Sequence, residues 1–276
     1  MPSELVHFLS TAKPWLTVLC FASFWIWETI QPFDASRSHR WRHAGRNVFV
    51  AILNTVILGT LFGAATVGVA SWTAEREFGL LFRVNLAWPG RLLIAVFLLD
   101  AWLYVWHRLN HRIPVLWRFH RMHHSDHEMD VSTATRFHLG EHLLSAAMRL
   151  IIISVIGASI SELAAYEILV VLATMFHHAN ISLGTMERWI CWFIVTPGMH
   201  KIHHSRQRSE ADSNYSVLFP LWDRIACTYH TQEKSVHLEL GLHGFEGDRW
   251  QTVVGMLKTP FVKVDEEHAH RSDQGC

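Results

Sequence analysis

The chain is 276 residues long, with 50% hydrophobic and only 17% charged residues, against roughly 25% charged in an average soluble domain. So little charge cannot cover a water-facing surface, which excludes an ordinary soluble enzyme. Lys plus Arg and Asp plus Glu balance at 24 each, so the bulk positive field that drives nucleic-acid binding is missing, and neither DNA nor RNA is expected as a partner.

In chain order, apolar stretches occupy residues 15–27, 48–70, 92–106, 143–160 and 163–176. Only the second meets the roughly 20-residue length of an unaided membrane span, so the others need interfacial help or neighbouring helices. Trp15, Trp25, Trp27, Trp72, Trp88, Trp102 and Trp106 sit near the ends of these runs, where aromatic belts belong. The first run lacks the small-residue cleavage site of a signal peptide and reads as a retained helix. If the amino terminus is outside and all five runs cross, the inside segments hold 19 Lys and Arg against 4 in the outside ones. That is the asymmetry of the positive-inside rule. The expectation is an all-α, multi-span membrane helical bundle with a histidine-rich helical cap on its cytoplasmic face.

Histidine is the informative residue. There are 21, and 13 of them lie between His107 and His204. The four cysteines are widely spaced with no C-x-x-C pair, so neither a disulfide framework nor a thiolate zinc ribbon can be built. His107 and His111 form an H-x-x-x-H pair that shares one helical face at the end of the third run. His120, His123 and His124 form H-x-x-H-H, and the spacing returns at His200, His203 and His204, after Thr196-Pro197, an N-cap with proline in the first helical position. Both triplets are expected to be helical. Neighbouring helical residues point about 100° apart, so the two imidazoles of a doublet suit two ions side by side. Eight imidazoles are also too many for one tetrahedral zinc. Asp100 and Tyr104 precede His107 by seven and three residues on the same face. An intramembrane carboxylate is costly, and Asp100 is a candidate for holding a ligand's tautomer, the alternative being a charge that snorkels or pairs with arginine. Asn180 is a candidate for orienting a ligand in the same way. His138 and His142 suggest a pocket or supporting role. His127 fits no pattern, and His7, His39, His43, His230 and the histidines beyond it read as solvated surface.

The order of these motifs resembles the fatty acid hydroxylase and sterol desaturase superfamily, membrane di-iron oxygenases with histidine ligands. Asp100 with His107 and His111, 132–138 with Glu141, His178 with Asn180, and 212–215 followed by Trp222-Asp223 are similar to its accessory motifs, over about 94–229. The resemblance implies metal ligation by His107, His111, His120, His123, His124, His178, His200, His203 and His204, with His178 placed ahead of its neighbour His177. It implies two iron ions, dioxygen as co-substrate, and hydroxylation of the alkyl portion of a membrane lipid or sterol-like substrate, with Asp100 and Asn180 as catalytic candidates. Desaturation of such a lipid is the alternative within the superfamily. A membrane haem carrier would need isolated histidines on facing spans, and a metal transporter would line a path through the crossings. The chain has no G-x-G-x-x-G after a strand and no evident haem or iron–sulfur motif, so a separate electron donor is implied. The domain reading is 1–90 as N-terminal membrane helices, 91–230 as the catalytic domain and 231–276 as a polar C-terminal tail, loose over 265–276. The location implied is an integral, multi-pass position with the site cytoplasmic, a bacterial inner membrane being favoured over the endoplasmic reticulum.

Overall fold

A computed structural model describes residues 3–35, 39–231 and 238–263. The stretch 265–276, the histidines at 237, 268 and 270, and the side chain of the histidine at position 7 lie outside the described residues.

The apolar runs fall on long helices, α1 (Ser3–Ile30), α2 (Arg40–Glu75), α3 (Trp88–Arg112), α5 (Leu139–Ile156) and α6 (Ile160–His178), except that the run expected over 143–160 is broken at Gly157, where α5 ends, and its last residue opens α6. The short helices α4 (Pro114–His124), α7 (Glu187–Ile190), α8 (Pro197–His203), α9 (Arg208–Ala211), α10 (Leu221–Ile225) and α11 (Val253–Lys258) complete the order. No strand occurs among the described residues; only two isolated bridges do, Pro32 with Ile181 and Ser205 with Leu240. Four helices, α2, α3, α5 and α6, are long and apolar enough to cross a membrane. At 28 residues α1 has the length, but Lys13 and its interspersed Ser and Thr keep it out of that set, a departure from the five crossings expected. It runs parallel to α6 instead, with Lys13 paired to Glu167, Phe24 against Phe176, and Glu28 accepting from the Asn180 amide.

Local sequence sets the ends of these helices. Pro114 opens α4 and forces Ile113 into an extended conformation (φ −95°, ψ 117°), so the chain turns sharply between α3 and α4. Ser159 and Glu162 close a reciprocal capping box at the start of α6. Gly157 ends α5 in the left-handed region (φ +77°) and lies against Gly79 (φ +113°), where a Cβ would stand 2.5 Å from the Gly157 Cα. Side chains there would push the α2–α3 and α5–α6 connections apart.

Between α3, α5 and α6 lies the main apolar core, with Ala95, Leu99, Ile153, Ile156, Leu163 and Tyr166 all buried. At one end of the bundle Arg91 ties three segments, donating to Glu162 Oε1 (2.8 Å), Leu81 O (2.9 Å) and Gly157 O (2.8 Å). At the other end meet the start of α2, the end of α3, the start of α5 and the end of α6. All the histidine motifs are gathered there. The C-terminal part does not hang free as far as it is described. Arg121 of α4 donates to Thr259 O and Val262 O, and Met256 is fully buried with Val50 and Met122.

Arg91→Ala is expected to lower stability by about 3–5 kcal/mol, because it strands the buried Glu162 carboxylate. Adding Glu162→Gln should restore part of that loss. Thermal unfolding of the single and double variants in detergent micelles measures both, and equal losses would show that the ion pair is not the source.

Candidate metal centre

Three turns of chain aim the imidazoles at one another. α3 ends with His107 and His111 on one face, and the Ile113-Pro114 turn folds α4 back so that His120, His123 and His124 meet them. α6 delivers His177 and His178 at its last turn. The Thr196 side chain caps α8 by accepting from the Met199 amide, with Pro197 in the first turn, and α8 presents His200 and His203 with His204 at its end. Both H-x-x-H-H segments are therefore helical, as expected.

The imidazoles fall into two groups whose ligating atoms lie within 4.8 Å of one another: His107, His111, His120, His124 and His203 in one, His123, His178, His200 and His204 in the other. All nine are buried. Each doublet is split between the groups, as a 100° turn per residue demands. The two triplets do so in opposite senses: α4 gives two imidazoles to the first group and one to the second, whereas α8 gives one and two. Within the first group His203 Nε2 stands 3.0 Å from His107 Nε2, and within the second His178 Nε2 stands 3.1 Å from His123 Nε2 and 3.0 Å from His200 Nε2. His177 is buried with its ring 4.0 Å from that of His200, but joins neither group.

Tautomers are fixed from outside. The Nδ1–H of His107 donates to Tyr215 O (2.7 Å), that of His203 to Ser213 O (2.7 Å), that of His178 to Thr174 O (2.7 Å) and that of His123 to Arg136 O (3.2 Å). His120 Nδ1 donates to the Glu141 carboxylate at 2.9 Å. A proton committed to Nδ1 leaves a bare lone pair on Nε2, and those lone pairs point inward. Asn214 arranges two of these acceptors. It sits in the left-handed region (φ +51°) and donates to Met199 O and His230 O, which turns the carbonyls on either side of it toward His203 and His107. Asp223 braces the same turn by accepting from the Tyr215 and Ser216 amides.

Metal chemistry fits this donor set. Among the described residues, His111 Nε2, His120 Nε2 and both ring nitrogens of His124 and His204 are buried without any hydrogen-bond partner. Orphaned buried nitrogens cost free energy unless something accepts their lone pairs, and a cation does so. Burial, and then the neighbouring imidazoles, push His123, His124, His200, His203 and His204 well below the ordinary histidine value, so all five are neutral and ligand-competent.

Several residues stand elsewhere than expected. Asp100 is buried but touches no histidine. Its carboxylate accepts from the Leu218 and Phe219 amides (3.2 and 3.1 Å) and the Trp222 indole (2.8 Å), and the tautomer of His107 is held by a carbonyl instead. Asn180 faces Asp34, donating to its carbonyl (2.8 Å) and accepting from its amide (3.2 Å), so it fastens the α1–α2 connection and orients no ligand. His138 caps α5 by accepting from the Gly140 amide, and neither it nor His142 joins a group. His43, read as surface, is buried between Asp126 (2.9 Å) and Asp130 (3.1 Å). Although burial alone would raise it, Asp126 is held well below the usual carboxylate range by His43 and by the fully buried Arg136. The sequence did carry a signal for this. His43, Asn47 and Asn54 form a polar stripe at helical spacing along an otherwise apolar helix, and Asn47 and Asn54 donate to Ser132 and Phe137 O. The stripe clamps the 126–137 segment whose Arg136 carbonyl holds His123.

The fatty acid hydroxylase family model matches residues 92–228. The chain is similar to the ornithine lipid hydroxylase of Rhizobium tropici, 24% identical over 237 residues covering 79% of this chain and 67% of that protein. It is 28% identical to the alkylglycerol monooxygenase of Homo sapiens over 55% of this chain and 34% of that protein, and 28% identical to the cholesterol 25-hydroxylase of Rattus norvegicus over 55% and 51%. It thus spans about a third of one of these relatives and half of another. No solved structure matches it.

The neutral imidazoles make acid stability predictable. With folded pKa values below the unfolded value of about 6.5, their contribution is complete above that pH and is lost as pH falls through it. Metal-free protein in micelles should lose thermal stability between pH 7 and 5 more steeply than one proton per molecule allows. A flat profile would contradict buried neutral histidines.

Proposed function

The chain belongs to the fatty acid hydroxylase family, and from that premise we propose that it is a membrane di-iron oxygenase that hydroxylates the alkyl portion of a lipid or sterol-like molecule. The observation that carries the reading is the division of nine buried imidazoles into two adjoining groups, with each H-x-x-H-H doublet shared between them.

His107, His111, His120, His124 and His203 would hold one iron, and His123, His178, His200 and His204 the other. Such a pair supplies, when bound, the reduction of dioxygen and the oxidation of an unactivated C–H bond. The reaction consumes two electrons and two protons for each dioxygen, placing one oxygen atom in the alcohol and the other in water. The chain carries no motif for a redox carrier, so the electrons come from a separate donor. Its own residues keep Nε2 lone pairs turned inward through the carbonyls of Ser213, Tyr215, Thr174 and Arg136 and the carboxylate of Glu141. Apolar helices α3, α5 and α6 lead up to the site, so an alkyl chain reaches it from the hydrocarbon while its polar end stays at the interface. With α2, α3, α5 and α6 as the crossings, Lys and Arg divide 20 to 3 in favour of the side that carries the histidines, which supports a cytoplasmic site on a multi-pass protein. The likeness to an ornithine lipid hydroxylase, an alkylglycerol monooxygenase and a cholesterol 25-hydroxylase supports hydroxylation over desaturation.

Incubation of purified protein with membrane lipid, a reductant and isotopically labelled dioxygen should place label in a lipid alcohol. A new double bond without label would replace hydroxylation with desaturation, and no lipid change across several reductants and lipid classes would overturn the oxygenase reading. Metal content supplies a second test. Wild type should hold two irons with no Soret band, whereas His203→Ala and His204→Ala should each weaken a different ion, so that iron falls in steps while turnover is lost in both.

A further inference from the structure

Asp100 lies seven residues before His107, which places it about 10 Å along α3 from the histidines, toward the middle of the span. Its buried carboxylate gathers the amides of Leu218 and Phe219 and the indole of Trp222. Phe97, three residues further along, is 40% exposed on the outer side of the span, and its ring lies 4.5 Å from that of Trp222. The chain therefore descends from Tyr215, at the level of His107, to Trp222, at the level of mid-span.

A second segment is tied to the first. Val195 N donates to Leu218 O (3.1 Å), Arg224 donates to Cys191 O (2.9 Å), and the Tyr229 hydroxyl meets the Cys191 sulfur. Together the two segments turn large apolar side chains outward: Trp189 is 65% exposed, Trp192 63%, Phe193 75% and Ile225 66%. On a water-facing surface these would form an aggregation-prone patch. The polar groups beneath them are already satisfied. The Arg224 guanidinium donates to two carbonyls and lies over the rings of Trp192 and Tyr229 at 4.5 and 4.1 Å. Non-helical backbone is tolerated at membrane depth only where protein supplies its partners, and Asp100 supplies them here.

We propose that α7, the turn through Ile194, and α10 form a re-entrant wedge seated among the lipid acyl chains beside the histidine site. The wedge rests on the reading of α3 as a membrane span. Its surface is continuous with the lipid-facing side of α3 at Phe97, and the partner it fits is the hydrocarbon of the leaflet that borders the site. Arg188, over the Trp189 ring, has the stem length to reach headgroup phosphates from the edge of this surface. Asp100 is then a positioning residue for the wedge, which gives an intramembrane carboxylate a purpose without contact with any imidazole.

Nitroxides at Phe193→Cys and Ile225→Cys test this in lipid nanodiscs, in a chain whose native cysteines are alanine. Ile151→Cys on α5, 54% exposed, serves as the lipid reference, and Glu246→Cys, at a charged position whose side chain is 50% exposed, as the water reference. The ratio of oxygen to nickel-chelate accessibility at 193 and 225 should match the lipid reference and exceed the water reference severalfold. Water-like values at 193 and 225 with Ile151 still in lipid would overturn the wedge alone, whereas a water-like Ile151 would overturn the spanning reading and the wedge with it. The unaltered chain gives an independent check in vesicles whose acyl chains carry a diazirine. Photolabel should appear on peptides covering 187–195 and 221–226, and its confinement to the long helices would overturn the proposal.

Discussion

Nine imidazoles buried in contact cannot carry charge side by side, and this requirement organises the whole site-bearing end of the molecule. Buried imidazolium ions side by side would repel one another with no water to screen them. The neutral form brings its own demand, since each ring has one proton to give and one lone pair to place. For His107, His120, His123, His178 and His203 the protein commits the Nδ1 proton outward, to backbone carbonyls and to Glu141, and turns the Nε2 lone pair inward. What these five rings leave at the centre is a set of inward lone pairs, a configuration that a cation satisfies and hydrocarbon does not.

The rest of the fold can be followed outward from those acceptors. Thr174 O, within α6, accepts from the ring one turn on, but the carbonyls of Arg136, Ser213 and Tyr215 belong to backbone that is not helical, where no intrahelical amide competes for them. The chain therefore needs irregular segments beside the helices, and each needs an anchor. Asn214 and Asp223 anchor the 213–216 turn. The stripe of His43, Asn47 and Asn54 anchors 126–137. Polar residues on α2 and α3 that look misplaced on apolar helices are the fastening points of loops that hold the histidines.

This division explains what could be read in the sequence. The spacing of the histidines is a local, helical property, and it was enough to foretell that each doublet would be shared between two groups and that Thr196-Pro197 would begin a helix. The anchors are non-local. Asp100 meets amides 118 and 119 residues away, and His43 meets carboxylates 83 and 87 residues away. No periodicity encodes such a partner. On its own helix Asp100 offers only His107 or a snorkelling, arginine-paired charge as readings, because only intrahelical neighbours are visible in a sequence. The polar stripe on α2 could have been recognised, since an Asn-rich face on an apolar helix asks for something polar to meet it. What it meets could not.

Asp100 differs in kind from the imidazoles gathered at the centre. A carboxylate that tuned His107 would be expected to hydrogen-bond its ring. Here the carboxylate spends its acceptors on the backbone of 218–219 and on Trp222, while the Tyr215 carbonyl, a few residues before them, bonds His107. The carboxylate thus acts on the imidazole through the course of the chain between them. Its loss would loosen the descending segment first, and the orientation of His107 would follow only as far as the Asn214 and Asp223 braces yield.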